Sequence, residues 1–158
     1  MSLARQLSEF YHLYDPIHKV ENFDQSEEIF STLIGKNRII HYQDSDENVI
    51  GFVESWRIDY QQFGWLLCHP EYPSNLNVWD LNKGNICYLA NVIIHPDYRF
   101  SHVYQYLKTE FFRQNYACDF FVGQAYRKRH QPLKIFTRQE FYDRYAKEES
   151  KEGVMHHG

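Results

Sequence analysis

The chain has 158 residues, 43% of them hydrophobic and 24% charged, the size and composition of a single globular domain with no room for a second catalytic one. A formal charge of −4 excludes a phosphate-neutralising surface as the main business of the chain, so no nucleic-acid partner is expected. No run of about 20 apolar residues can span a bilayer, and charged and polar residues interrupt the N-terminus where a secretory signal would be continuous, so a cytoplasmic location is expected.

Leu3, Leu7, Phe10, Tyr11 and Tyr14 recur at spacings of three and four, which predicts a helix over 3–14 that stops before Pro16. Asp24 and Glu27 stand at capping-box spacing, and Ile29, Phe30, Leu33 and Ile34 form a stripe. A second helix over 25–34 follows, with Gly35 as its left-handed stop. RIIHY and VIGFVESW flank the polar QDSDEN, the pattern of an antiparallel hairpin over 38–56. The stretch 57–83 holds Gly64, Trp65, Pro70, Pro73 and Trp79, too broken for a long element and expected to pack across the sheet.

NICYLANVIIHP is the strongest apolar run and predicts a central strand over 86–95, buried on both faces and ended by Pro96. Ser101 can cap a helix over 101–114 whose Val103, Leu107 and Phe111 share a face, and CDFFVGQAY predicts a strand over 118–125. Strand, helix, strand in this order predicts that the two strands are parallel and adjacent. The layout is one domain: N-terminal helices over 1–36, sheet and crossing helix over 37–145, and a solvated tail over 146–158. Cys68, Cys87 and Cys118 have neither the even count of a disulfide framework nor the close pairs of a zinc site, and are expected to be reduced, unpaired and buried. His41, His69 and His95 have no partner at metal-ligand spacing, so no metal is expected.

This order of elements resembles the GNAT superfamily of acyl-CoA N-acyltransferases, over roughly residues 25–141. YLANVIIHPDYR is similar to that family's fourth strand and the start of its pyrophosphate loop, and RHQPLKIFTRQEF to its stretch after the fifth strand, with Pro132, Leu133, Phe136 and Phe141 in register. The resemblance implies an α/β (α+β) fold with a mixed, mostly antiparallel central sheet that contains a parallel, splayed pair of strands and is flanked by helices. It implies transfer of an acyl group from acetyl-CoA or another acyl-CoA to an amine-bearing small molecule or a protein lysine. The donor would meet the amides of Val92, Ile93 and Ile94 at the thioester carbonyl, and Arg99, Phe100, Ser101, His102, Val103 and Tyr104 at the diphosphate. Helix N-termini bind such anions through exposed N–H groups and the macrodipole. The family's Arg/Gln-x-x-Gly-x-Gly/Ala reads Arg99-Phe100-Ser101-His102-Val103-Tyr104 here, so two large side chains replace glycines and are expected to obstruct coenzyme A. Phe136 stands where the family often has a proton-donating Tyr.

A shorter resemblance is to toxin-activating lysine acyltransferases, which lack the glycine loop and take their acyl group from acyl carrier protein. Pro16-Ile17-His18 matches their Pro-x-His element, and GFVESW their hairpin strand. The candidate catalytic residues are therefore three. His18 and Glu54 are candidate bases, and Asn91 is a candidate to orient a carbonyl or acceptor by its amide. Each also has a structural alternative: a surface loop histidine, an outward-facing strand glutamate, a hydrogen-bonded core amide. A catalytically inactive module of the same fold, acting as a homodimer or by binding a partner through its aromatic surface, is the competing function.

Overall fold

The computed structural model describes residues 1–14, 23–69, 73, 75–99, 101–123 and 133–145. His18 and its Pro-x-His element, Phe100, the last two residues of the expected 118–125 strand, Pro132 and the tail 146–158 lie outside these.

Helices α1 (Leu3–Tyr14) and α2 (Phe23–Gly35) come first, followed by strands β1 (Ile39–Gln43) and β2 (Val49–Ile58). Helix α3 (Tyr60–Cys68) and a 3-10 turn (Leu76–Val78) lead to β3 (Ile86–Ile94). Helix α4 (His102–Asn115), β4 (Phe120–Gly123) and β5 (Lys134–Thr137) complete the sheet, and residues 138–145 are helical. The strands lie in the order β1-β2-β3-β4-β5, all neighbours antiparallel except the parallel pair β3 and β4. This is the expected mixed sheet, with the NICYLANVIIHP strand at its centre.

Helix α4 and the 138–145 segment cover one face, where Val53, Cys87, Leu107, Phe111, Phe121 and Phe141 pack together. Helices α1 and α2 cover the other through Leu7, Phe10, Phe30, Phe52 and Ile93, and beside them Leu33, Trp56, Ile58, Leu66 and Ile86 form a further cluster that takes in α3. Full burial of each large side chain contributes about 2–3 kcal/mol before entropy is charged, so these clusters hold the helices to the sheet.

Four expectations are corrected. Helix α2 does not stop on a left-handed Gly35: Asn37 takes the positive φ of 59°, its N–H bonds to Ile34 O and the Arg38 N–H to Leu33 O, a Schellman closure with Asn at the turn. The broken stretch after Arg57 contains a helix, because Asp59 and Gln62 form a reciprocal capping box at the start of α3. The central strand is buried on both faces only near its start, and Val92 is 37% exposed. Cys68 is exposed, while Cys87 and Cys118 are buried, and all three thiols are free.

Candidate functional site

Strand β2 is short of polar residues, and alternation sends Phe52, Glu54, Trp56 and Ile58 to the face under α1–α3. Glu54 is only 2% exposed, so it is not the outward-facing strand glutamate of the structural alternative. A buried carboxylate must be hydrogen-bonded to be tolerated. Here the Trp56 indole N–H donates to Glu54 Oε2 at 2.8 Å, and the Asn91 amide donates to Oε1 at 2.9 Å.

The second bond depends on an irregularity in β3. Glu54 pairs with Asn91 and Ser55 with Leu89, so Ala90 is an extra residue opposite no partner, a β-bulge. Ala90 packs in the cluster with Trp56 and Tyr88, and Asn91 also reaches this face. The ring of Tyr88 lies 5.1 Å from that of Trp56, and burial, reinforced by the charge of Glu54, pushes its phenol up to about 12.

The pairing of β3 with β4 is described from Ile86↔Phe120 to Leu89↔Gly123, so the bulge comes immediately after the last described parallel pair. Beyond it, the His95 N–H donates to Ile50 O at 2.9 Å, which sets the hydrogen-bonding phase of β3 on β2. Antiparallel alternation then points the N–H groups of Ile93 and Asn91 at β2 and those of Val92 and Ile94 to the opposite edge. Two backbone donors thus face the β4 side, beyond the last described pair Leu89↔Gly123, and Ile93, whose side chain is in the α1 cluster, contributes neither amide nor side chain there.

On the other face of β3, Leu89, Val92, Ile94, Leu107 and Phe111 line an apolar recess rimmed by Tyr104, Lys108 and Tyr145. The Lys108 ammonium sits 5.2 Å from the centre of the Tyr104 ring. Helix α4 starts as expected, with Ser101 Oγ accepting the Val103 N–H at 3.2 Å and donating to Tyr98 O at 2.7 Å. The two residues at glycine positions part company. The His102 ring packs on Tyr42 of β1, 5.5 Å away, and so turns from the recess, whereas Tyr104 stands at its mouth. Arg99 is exposed at the same helix start, with no carboxylate paired to it among the described residues.

Glu54 and Asn91 are therefore brought together, with Val92 and Ile94 within the same strand segment; of the α4 start only Tyr104 lines the recess, Val103 is buried in the core, and Arg99 and Ser101 lie at the helix start without lining it. Sequence reasoning missed Trp56 as the second donor to Glu54. The signal was present, since residues two apart on a strand share a face. Among the described residues no group of three or more His, Cys, Asp or Glu side chains is placed to hold a metal ion, and no helix is long and apolar enough to cross a membrane.

No protein-family model and no curated protein matches the sequence. The fold is similar to that of a mosquito arylalkylamine N-acetyltransferase-like protein (TM-score 0.51, 13% identity, covering 76% of this chain and 70% of the other). It is similar also to the loading GNATL domain of CurA from Lyngbya majuscula (TM-score 0.51, 19% identity, covering 76% of this chain). The match spans 58% of the CurA domain, little more than half its length. At these identities the likeness is one of fold, and the fold is the GNAT fold.

Proposed function

We propose that the chain is an N-acyltransferase that moves an acyl group from a thioester, acyl-CoA in the first instance, to an amine. The observation that carries this is Glu54: a carboxylate only 2% exposed, held by the Trp56 indole and the Asn91 amide, on a strand whose neighbour β3 turns the Val92 and Ile94 amides to its β4 side. Burying a carboxylate is costly, so its position on an apolar strand calls for a functional reason. A base that must reach an amine in a water-poor site needs that placement.

The residues present suit a thioester arm. The recess along Val92, Leu107 and Phe111 is apolar and is lined by Tyr104 of the first turn of α4; Arg99 and the capped start of that helix would hold phosphate oxygens. A bound thioester supplies an activated carbonyl carbon and a thiol leaving group. The Val92 N–H would donate to the carbonyl oxygen as negative charge develops on it, and oriented backbone donors of this kind lower barriers because they need no reorganisation. Glu54 would take one proton from the acceptor ammonium on the opposite face of β3. The second nitrogen proton leaves with the thiolate, because Phe136 offers none. Asn91 would hold the carboxylate in position through its amide. His18, between α1 and α2 in the sequence, is proposed as a second base.

The acceptor is an amine-bearing small molecule or a protein lysine, and the arylalkylamine of the mosquito neighbour's name makes aromatic amines the first class to try. A non-catalytic module remains the second reading, favoured by Tyr104 at the mouth of the recess. Thermal midpoints with and without acetyl-CoA, longer acyl-CoAs and acylated acyl carrier protein separate them, since a ligand of the native state at 100 times its dissociation constant stabilises by about 2.7 kcal/mol. Acyl transfer predicts a rise with at least one donor. No rise with any of them supports the module.

A further inference from the structure

The apolar recess beside β3 opens where α4 begins. At the opposite end of the sheet, where α4 stops and β5 leads into the 138–145 helix, an open recess of about 550 Å³ is lined by Tyr116, Asp119, Thr137, Arg138, Gln139 and Tyr142. At 1.5 Å per helical residue, Tyr116 stands about 18 Å along α4 from Tyr104.

Backbone bonds fix the frame of this recess. The Asp119 N–H donates to Asn85 O at 2.8 Å and the Arg138 N–H to Asp119 O at 3.0 Å, which ties the two residues to each other and to the start of β3. The Thr137 N–H donates to Glu140 Oε1 and the Glu140 N–H to Thr137 Oγ1, both at 3.2 Å. This reciprocal capping box starts the helix that carries Arg138 and Tyr142. Gln139 is held on the same helix, its amide donating to Asp143 Oδ1 at 2.9 Å.

The side chains, by contrast, keep unused capacity. The Arg138 guanidinium stands 3.6 Å from Asp119 Oδ1 with both side chains about half exposed, an arrangement in which an ion pair is weak and readily parted. Its one other hydrogen bond among the described residues is a 3.4 Å contact to Tyr116 O, so most of its five donors are uncommitted. The Tyr142 hydroxyl is closed to solvent and has no hydrogen-bond partner among the described residues. A buried, unpaired hydroxyl is costly and calls for a partner. Burial, with the neighbouring Tyr116 phenol, holds the Tyr142 phenol above its ordinary value, so it is a donor at neutral pH. The two tyrosine rings meet edge to face at 6.0 Å, and the Arg138 guanidinium lies 5.8 Å from the centre of the Tyr116 ring.

One charge of each sign is thus offered beside aromatic surface. An anion alone would meet Asp119 and a cation alone would meet Arg138, whereas a molecule carrying both charges satisfies the two together. We propose that this recess binds a free α-amino acid with a large apolar side chain, at a site separate from acyl transfer. The ligand's carboxylate takes the Arg138 guanidinium and the Tyr142 O–H, its ammonium takes Asp119, and its side chain lies against the Tyr116 ring.

The test is an NMR titration of the nitrogen-labelled full chain with phenylalanine, phenylalaninol, which lacks the carboxylate, and hydrocinnamate, which lacks the ammonium. Phenylalanine should give saturable shifts at the Tyr116, Asp119 and Gln139 amides, and each of the other two should bind at least about tenfold more weakly. Arg138→Gln and Asp119→Asn should each weaken phenylalanine by about tenfold or more. Tyr142→Phe removes only the hydroxyl, so it should weaken binding several-fold without lowering the melting midpoint of the ligand-free protein. A lower midpoint would mean that the hydroxyl is bonded within the protein, and would overturn the proposal. It is overturned equally by no saturable shift at about 10 mM phenylalanine, by equal binding of phenylalaninol or hydrocinnamate, or by shifts at Val92 and Leu107 in place of those at Tyr116 and Asp119.

Discussion

Replacing Glu54 by Gln keeps the shape of the side chain and removes its basicity, so stability and catalysis should separate. The new amide oxygen can still accept from Trp56 Nε1, now 2.8 Å from Oε2, and Asn91 can turn its own amide to accept from the new NH2 group across the present 2.9 Å contact. Two charge-assisted bonds become two neutral ones, a loss of about 1 kcal/mol each, offset by the cheaper burial of an amide than of a carboxylate. The net change should lie within about 1 kcal/mol, or roughly 2–4 °C in the melting midpoint for a chain of this size. The rate of amine acylation should fall by about 10²–10⁴, the usual contribution of a positioned base. Replacing Glu54 by Ala strands the indole and amide donors in a cavity, at about 1–3 kcal/mol for each, so the midpoint should drop by several times the Gln figure. Calorimetric melting and steady-state thiol release measure the two quantities. A folded Glu54→Gln protein with unaltered kcat would refute Glu54 as the base, and equal midpoints for the Gln and Ala variants would refute the hydrogen-bond bookkeeping.

Further outcomes follow from the same geometry. Tyr104→Ala alone should tighten coenzyme A binding in titration calorimetry, because His102 already points at Tyr42; an effect that requires His102→Gly as well would show that His102 obstructs. Arg99→Ala should weaken acyl-CoA several-fold yet leave a pantetheine thioester, which has no diphosphate, unaffected; equal loss on both would place Arg99 elsewhere. Gly84→Ala would set a Cβ 1.6 Å from Ile58 O, so the backbone must move, and urea unfolding should show a loss of more than about 2 kcal/mol. Tyr88 has its phenol raised from 10 to about 12 by burial and by Glu54. A raised folded value means that its contribution is intact below pH 10 and is lost as pH climbs through 10–12, by up to about 3 kcal/mol. Tyr88→Phe should flatten that alkaline slope in urea titrations, and an unchanged slope would contradict the assignment.

What could be read from the residues was whatever local chemistry decides. Ser101 before an apolar stripe marks the start of α4, and the unbroken ICYLANVII run marks the central strand, because caps and periodicity act over a few residues. Helix α3 was legible in principle through Asp59 and Gln62 but was masked by the surrounding Gly, Pro and Trp. The stop of α2 went to Asn37 rather than Gly35 because both residues tolerate a left-handed turn and the position of the last helical hydrogen bond decides between them. Asn91 was recognised as a polar residue on the apolar central strand and Glu54 as a candidate base on the hairpin strand. Their bond was not foreseeable, because it depends on the bulge at Ala90 setting the register of two strands far apart in sequence. The exposure of Val92 was likewise not legible in the unbroken apolar run of β3, because it depends on what packs over the strand rather than on the strand itself.

Amine-dependent release of free thiol from acyl-CoA by the unaltered protein, with the acylated amine identified by mass, tests acyl transfer most directly. The donor panel runs from acetyl-CoA to longer acyl-CoAs and the acceptors start with aryl-ethylamines and lysine peptides. The proposed function predicts thiol release that saturates with one amine class, matched mole for mole by acyl-amine and lowered by about 10²–10⁴ in Glu54→Gln. Thiol release no faster than in buffer for every donor, from protein that melts cooperatively, would contradict it.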